Sequence, residues 1–308
     1  MHSHVAKQQR NKTNLTNKFI FVLGGDSFKS GNLPDREYID ALSSLNSHLF
    51  YDHSTEYNNS SLVLKSLIEK ELIKADRIFL KTPVSIRTNP LPSKIYDHTM
   101  SEIESLSIEN IKSLFLNKLS AASVVRFMDS IYYDKLIRLK SISSLGLIIS
   151  RNTYQGDEKI LLQCSSKIEY ISILSNMFNT SIAEPIANSK CIRLVRSVFS
   201  SGLISDYLKH GSDHVLSKNS FFNFDGLKDR IEYLQLLQST DLLTVENCIH
   251  FPLYLSNAKG IILSTSNPKH LYSISKNLAN HDSFVKSNLH KIKEFQILSP
   301  NHNIKLES

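Results

Sequence analysis

A single α/β domain of eight short strands alternating with helices, the number that closes a parallel (β/α)8 barrel, is the fold class this chain predicts. Three observations carry that expectation. Short, wholly apolar runs recur along the chain, as expected of strands buried on both faces. Between most of them lie longer stretches with apolar residues at helical spacing, which is the pattern of parallel βα units. No shift in composition within the 308 residues marks a second domain, and barrels of this kind run to about 250 residues and upward. A doubly wound open sheet is the alternative. Against it, no G-x-G-x-x-G follows the first strand.

The elements follow in order. Residues 1–17 read as a polar tail, in which Met1-His2-Ser3-His4 is a disordered end in preference to a metal site, and residues 18–308 read as the domain. Phe19–Leu23 is the first strand, ending on Gly24-Gly25, where the backbone is free to turn or to approach a ligand closely. Asp35 caps a helix carrying Tyr38, Ile39, Leu42 and Leu45. Leu49–Tyr51 is the second strand, Asn59–Leu72 the second helix and Asp76–Lys81 the third strand. Pro83, Pro90 and Pro92 predict a long loop over 82–98, followed by a helix over Ile103–Leu119. Ser123–Met128 is taken as the fourth strand, Tyr133–Leu139 as a short helix and Leu145–Ser150 as the fifth strand. Lys159–Cys164 contributes to a helix. Tyr170–Leu174, Cys191–Val195 and Gly260–Leu263 complete the eight strands. Helices are expected over Gly226–Leu237, Val245–Leu255, from Pro268 onward, and over His281–Phe295.

Composition narrows the function classes. Hydrophobic residues make up 41% of the chain, enough for a sizeable core. The 36 basic and 29 acidic residues give a formal charge of +7, but Lys and Arg are scattered, with no basic run beyond the first residues. That balance fits mild attraction to an anion such as a phosphorylated cofactor and argues against a nucleic-acid partner. Cys164, Cys191 and Cys248 are too few and too far apart for a zinc site or a disulfide framework. They read as free thiols of a reducing compartment, so a cytoplasmic location is expected. No apolar run approaches bilayer-spanning length, and the N-terminal residues lack the apolar core of a signal peptide.

The candidate site lies between His48 and Lys81. Asp52 follows the second apolar run, Tyr57 comes five residues later, and Lys81 ends the third strand. If those strands are parallel neighbours, an acid, a phenol and an amine converge at one edge of the sheet. A phenol alone, with a pKa of about 10, is a poor proton donor. An adjacent ammonium favours the phenolate, and a carboxylate keeps that ammonium charged and aimed. Together they make a general acid/base suited to carbonyl–alcohol exchange. Taken singly, each residue also has a plain structural reading: a loop Tyr, a solvated Lys, a helix-capping Asp.

These and later motifs resemble the aldo/keto reductase superfamily over nearly the whole chain. Asp52-His53-Ser54-Thr55-Glu56-Tyr57 has the spacing of that family's Asp-Thr-Ala-x-x-Tyr signature, and Phe79-Leu80-Lys81-Thr82 resembles the strand bearing its Lys. Leu145–Ser150 is similar to the strand whose Ser, here Ser150, holds a nicotinamide amide. Arg196-Ser197-Val198-Phe199-Ser200-Ser201-Gly202-Leu203 is similar to the loop that lies over the cofactor. Ser264-Thr265-Ser266-Asn267-Pro268-Lys269-His270-Leu271 is similar to the segment that holds the adenosine phosphate.

The resemblance implies a barrel with its site at the C-terminal strand ends. It implies NADP or NAD as cofactor, Asp52, Tyr57 and Lys81 as catalytic residues, and cofactor contacts from Gly24, Ser150, Asn176, Arg196, Ser197, Gly202, Leu203, Ser264, Thr265, Ser266, Lys269 and His270. It also implies a small carbonyl substrate, with a sugar-derived carbonyl preferred by analogy. Four departures stand out. Met128-Asp129-Ser130 follows the strand taken as the fourth, where the family has a His that polarises the carbonyl, so Asp129 and Ser130 are assigned to the substrate pocket. Ser172 stands for the strand-six Gln. Ser264 replaces a Gly, and Ile274 replaces an Asn. These losses support a second expectation, a cofactor-binding barrel with little catalysis that acts as a regulatory or partner-binding protein.

Overall fold

Eight parallel strands pair in sequence order, and the last closes on the first. They are β1 (Ile20–Gly24), β2 (Leu49–His53), β3 (Ile78–Lys81), β4 (Ile111–Asn117), β5 (Ile142–Ile149), β6 (Ile168–Leu174), β7 (Ile192–Arg196) and β8 (Gly260–Leu263). Closure is made by β1 beside β8, with Val22 opposite Ile262. The computed structural model describes residues 19–28, 34–45, 49–57, 60–83, 86, 89–149, 165–180, 182, 184–218, 226–265 and 267–299. The tail expected over 1–17 and the helix expected over 159–164 lie outside them.

Side chains alternate along each strand, so every second residue enters the barrel. Val22, Phe79, Phe115, Ile148, Tyr170, Leu194 and Ile262 form one packed interior cluster, with Phe50 against it. Gly146 makes room for it: a Cβ there would lie 2.7 Å from the Phe115 ring. The outward residues of the strands, Leu23, Tyr51, Leu80, Leu114, Leu147 and Val195 among them, pack under the surrounding helices in a second, larger core. Burial on both faces explains why the strands are apolar runs with little alternation.

Three stretches depart from the sequence expectation, and the first two have a local cause. The segment expected as loop to His98 and as helix from Ile103 is a helix from Pro92 to Ser105, followed by strand β4. Pro92 occupies the first helical turn, where its missing N–H costs nothing, and Ile95, Thr99 and Ile103 recur at a spacing of four and are buried. Ser107, in the left-handed region at φ 56°, ends the turn that leads to β4. The fourth strand is therefore Ile111–Asn117. Ser123–Met128 lies instead in a helix, Ala121–Met128, whose Val124, Phe127 and Met128 face inward and whose first turn is capped by Ser120 accepting from the Ser123 N–H. The β-branched pair Val124-Val125 imitates a strand in sequence, but the apolar spacing of three and four is helical. The C-terminal stretch is split: His281–Ser287 and Leu289–Leu298 are separate helices.

Cys191 and Cys248 are buried free thiols. Among the described residues no helix is long and apolar enough to cross a membrane, and no cluster of three His, Cys, Asp or Glu side chains could hold a metal ion.

Candidate active site

The interior side chains run in series toward the C-terminal mouth. On β2, Phe50 in the barrel interior puts Asp52 on the inward face, and on β3 Phe79 does the same for Lys81. Asp52 thus lies within strand β2 and not beyond its end, contrary to the sequence placement. The Lys81 ammonium forms an ion pair with the Asp52 carboxylate; the two side chains are only 13% and 3% exposed. Tyr57 comes from the β2–α loop, in a turn fixed by its own N–H donating to the Ser54 carbonyl (3.1 Å) and its carbonyl accepting from Ser60 (2.8 Å). Lys81 Nζ donates to the Tyr57 hydroxyl oxygen at 3.2 Å. The acid, the phenol and the amine therefore meet at one end of the barrel.

Burial sets the electrostatics of this cluster. Burial lowers the affinity of the Lys81 amine for its proton, but Asp52 and Tyr57 together outweigh it, so the ammonium is held above its ordinary range. Burial pushes the Asp52 carboxyl up, opposed by the charges of Lys81, His53 and Arg196. Arg196 is the last residue of β7, on the inward face two residues past Leu194. Its guanidinium is pushed down by burial and supported by Asp52 and Tyr57.

The remaining candidates divide. Gly24 ends β1 directly against Ser264, whose Oγ would lie 2.2 Å from a Cβ at Gly24. The departure of Ser264 from Gly is thus absorbed by the glycine across from it. Asn176 is buried with both ends of its amide engaged: Nδ2 donates to the Ser197 carbonyl and Oδ1 accepts from the Phe178 N–H. It shapes the β7 loop with one of its two N–H donors and one of its two acceptor lone pairs. Ser197 and Gly202 bend that loop through positive φ, while the Leu203 side chain is wholly buried in the apolar cluster under the C-terminal helices. Thr265 accepts from the Asn267 N–H and lies 3.3 Å from His270 Nδ1. Lys269 and His270 are exposed in the first turn of the helix Pro268–Ala279. Ser150 and Ser266 lie outside the described residues. Ser172 points into the barrel with its buried hydroxyl unpaired.

Asp129 and Ser130 are not at the mouth. They join the helix Ala121–Met128 to the helix Ile131–Arg138, where Ser130 caps the second helix. Asp129 pairs at 3.6 Å with Lys167, which immediately precedes β6. That is the N-terminal end of the barrel, opposite to Lys81. The assignment followed from the misplaced fourth strand. The residue that does end β4 is Asn117, on the inward series Ser113–Phe115–Asn117. Its backbone N–H donates to Thr82 Oγ1 at 2.9 Å, and Phe115 is the register partner of Lys81. Its signal in the sequence was the run Leu114-Phe115-Leu116 closing on a polar residue, the same pattern that marked Lys81.

Outward from Asp52 lies a second polar network. His53 bonds Glu102 through Nε2 (3.1 Å) and Ser60 through Nδ1 (3.0 Å). The serine, histidine and acid imitate a hydrolase triad, but Ser60 is wholly buried, so no substrate reaches it. The network ties β2 to the helices Ser60–Glu69 and Pro92–Ser105.

With this geometry in view, the comparisons are coherent. The chain is similar to MGS-M4, an aldo-keto reductase enzyme from a Medee basin deep-sea metagenome library, at 10% identity and a TM-score of 0.59, covering 97% of this chain and 96% of that one. It is also similar to PA4992, a proposed aldo-keto reductase of Pseudomonas aeruginosa, at 14% identity and a TM-score of 0.54, covering 85% and 89%. No family model matches the sequence, and no curated protein matches it. The fold is therefore that of the aldo-keto reductase barrels, with nearly all of the chain accounted for.

Proposed function

We propose that this protein is a nicotinamide-dependent oxidoreductase that interconverts a small-molecule carbonyl, preferentially sugar-derived, and the corresponding alcohol. The observation that carries the reading is the contact of Lys81 with the Tyr57 oxygen while the same ammonium pairs with buried Asp52. A drifting scaffold has little reason to keep such groups together, since each costs desolvation unless paired. The solved barrels of the same shape that are described as aldo-keto reductases support the reading at the level of fold.

Each side chain has a separable task. Tyr57 gives its proton to the carbonyl oxygen in reduction and takes it back in oxidation. Lys81, donating to the phenol oxygen, stabilises the negative charge that remains on it. Asp52 keeps Lys81 charged and aimed. Asn117, at the end of β4, has an amide N–H suited to polarising a carbonyl, a task the sequence reading had left to Asp129 or Ser130.

A nicotinamide cofactor, NADP or NAD, supplies the hydride when bound. The residues fit such a group in part: the loop after β7 bends through positive φ at Ser197 and Gly202, and the helix start at Pro268 presents exposed Lys269 and His270. Ser197, Gly202, Thr265, Lys269 and His270 would hold it.

The second reading, a cofactor-binding barrel with little turnover, rests on Asn117 being unable to titrate and on Asn176 being engaged within its own loops. Titration of the intrinsic fluorescence of NADPH and of NADH with the protein, followed by turnover on a panel of aldehydes and aldoses, tests both. Binding with turnover is the expected result. Binding without turnover selects the second reading, and no binding of either cofactor removes both.

A further inference from the structure

Strand β7 carries two arginines that contrast sharply. Arg193 faces outward, is 7% exposed, and makes three bonds: Nε donates to the Asn257 carbonyl at 3.2 Å, and Nη1 donates to the carbonyls of Ile186 and Ala187, both at 3.0 Å. It fastens β7 to the ends of neighbouring elements. Arg196, three residues on, faces into the mouth. Its Nη2 makes one long bond, 3.5 Å, to the Ile149 carbonyl, and its buried Nε has no partner. Among the described residues no carboxylate pairs with it. Asp52, the acid that supports its charge, is already engaged by Lys81.

Among the described residues Lys81 is paired with Asp52, whereas Arg196 has no carboxylate paired with it. A buried cation without a counter-anion is costly, and a guanidinium is shaped for the two oxygens of a carboxylate. Arg196 is also electrostatically coupled to Tyr57, the proton donor of the proposed reaction. Arg196 ends β7 and Lys81 ends β3, both on the inward face, so an anion bound by Arg196 sits at the same mouth as the contact of Lys81 with Tyr57.

We propose that Arg196 reads a carboxylate carried beside the reducible carbonyl, which makes 2-oxo acids, including 2-oxo sugar acids, and the matching 2-hydroxy acids the substrate class. This rests on the oxidoreductase reading above and sharpens it. In reduction the C2=O π bond breaks. Hydride from the reduced nicotinamide forms the new C2–H bond, the Tyr57 proton forms the O–H bond, and the cofactor leaves oxidised. The carboxylate is unchanged and stays on Arg196. The cofactor's phosphates offer the same anionic chemistry, so the test has an arm for each source.

Pyruvate is compared with pyruvamide, and 2-oxogluconate with fructose, in the full-length protein, its Arg196→Gln variant and its Arg196→Lys variant. The expected result is a preference for each acid over its neutral partner that falls on the order of 30-fold in Arg196→Gln, mostly through KM, and recovers in part in Arg196→Lys. An unchanged preference in Arg196→Gln overturns the proposal. So does a loss of NADPH or NADH affinity with the acid-to-neutral ratio intact, because the arginine then serves the cofactor's phosphates. If no carbonyl is turned over, the oxidoreductase reading fails by itself, and calorimetric titration of the two acids decides the anion site. Acid binding that is lost in Arg196→Gln upholds it, and equal or absent binding overturns it.

Discussion

Asp52 and His53 are neighbours in one strand, and each stands in a network of polar side chains, yet the two networks do opposite things. Asp52 points into the barrel and leads through Lys81 to Tyr57, a half-buried phenol at the mouth. His53 points out, between sheet and helices, and leads to Ser60 and Glu102. By residue type the outer network looks the more catalytic of the two. Access reverses that judgement, because Ser60 has no exposed surface. In a barrel, the direction of a side chain and the end of the strand it occupies decide whether a polar cluster does chemistry or holds the fold.

That comparison can be broken or sharpened by substitution. Lys81→Met removes the ammonium from both Asp52 and Tyr57. It should lower turnover by on the order of 10²-fold or more and, by leaving a buried carboxylate unpaired, cost roughly 3–5 kcal/mol in denaturant unfolding. Adding Asp52→Asn should return part of the stability and none of the turnover. Recovery of turnover would show that the ammonium acts only by neutralising Asp52.

A pair of histidines remote from both networks supplies a pH test. His250 and His281 are buried with their Nδ1 atoms 2.8 Å apart. Burial, reinforced by His281, pushes the His250 imidazole down to about 4. His281 is also lowered by burial, with Asp282 opposing and Lys259 reinforcing. The folded protein thus favours neutral rings. Their contribution is complete above the unfolded value near 6.5 and is lost as pH falls toward 4, up to roughly 3 kcal/mol for His250. Unfolding midpoints measured across that window should drop on acidification and should drop less in His250→Phe. An identical slope in the variant would place the acid sensitivity elsewhere.

The smallest effect belongs to the outer network. His53→Ala should cost roughly 1–3 kcal/mol, the cost of leaving Ser60 and Glu102 unsatisfied, with kcat per folded molecule nearly unchanged. A large loss of kcat at full folding would make His53 a positioning residue for the Tyr57 loop and erase the contrast between the two faces.

Most of the barrel was legible because strands buried on both faces are continuous apolar runs, and seven of the eight were placed within a few residues. The exception cost the most. Val124-Val125 imitated a strand, Pro92 was read as a breaker when it opens a helix, and the inward series on Ile111–Asn117 was submerged in an expected helix. Asp129 and Ser130 were therefore sent to a mouth they do not reach, and Asn117 was passed over. The cluster at Asp52, Tyr57 and Lys81 was legible because each residue stands at or just after an apolar run. The use of Asn176 inside its own loops, and the want of partners at Arg196, were not legible, because both depend on which carbonyls the fold brings near.

The most direct test of the central claim is a single-turnover experiment. Protein loaded with reduced nicotinamide is mixed with an accepted carbonyl substrate, and cofactor oxidation is followed in the wild-type protein and in Tyr57→Phe. The account predicts rapid oxidation in the wild type and a rate roughly 10²- to 10⁴-fold lower in the variant, with cofactor affinity nearly equal in the two. Equal rates would contradict it, because the proton would then come from a group other than the phenol that Lys81 touches.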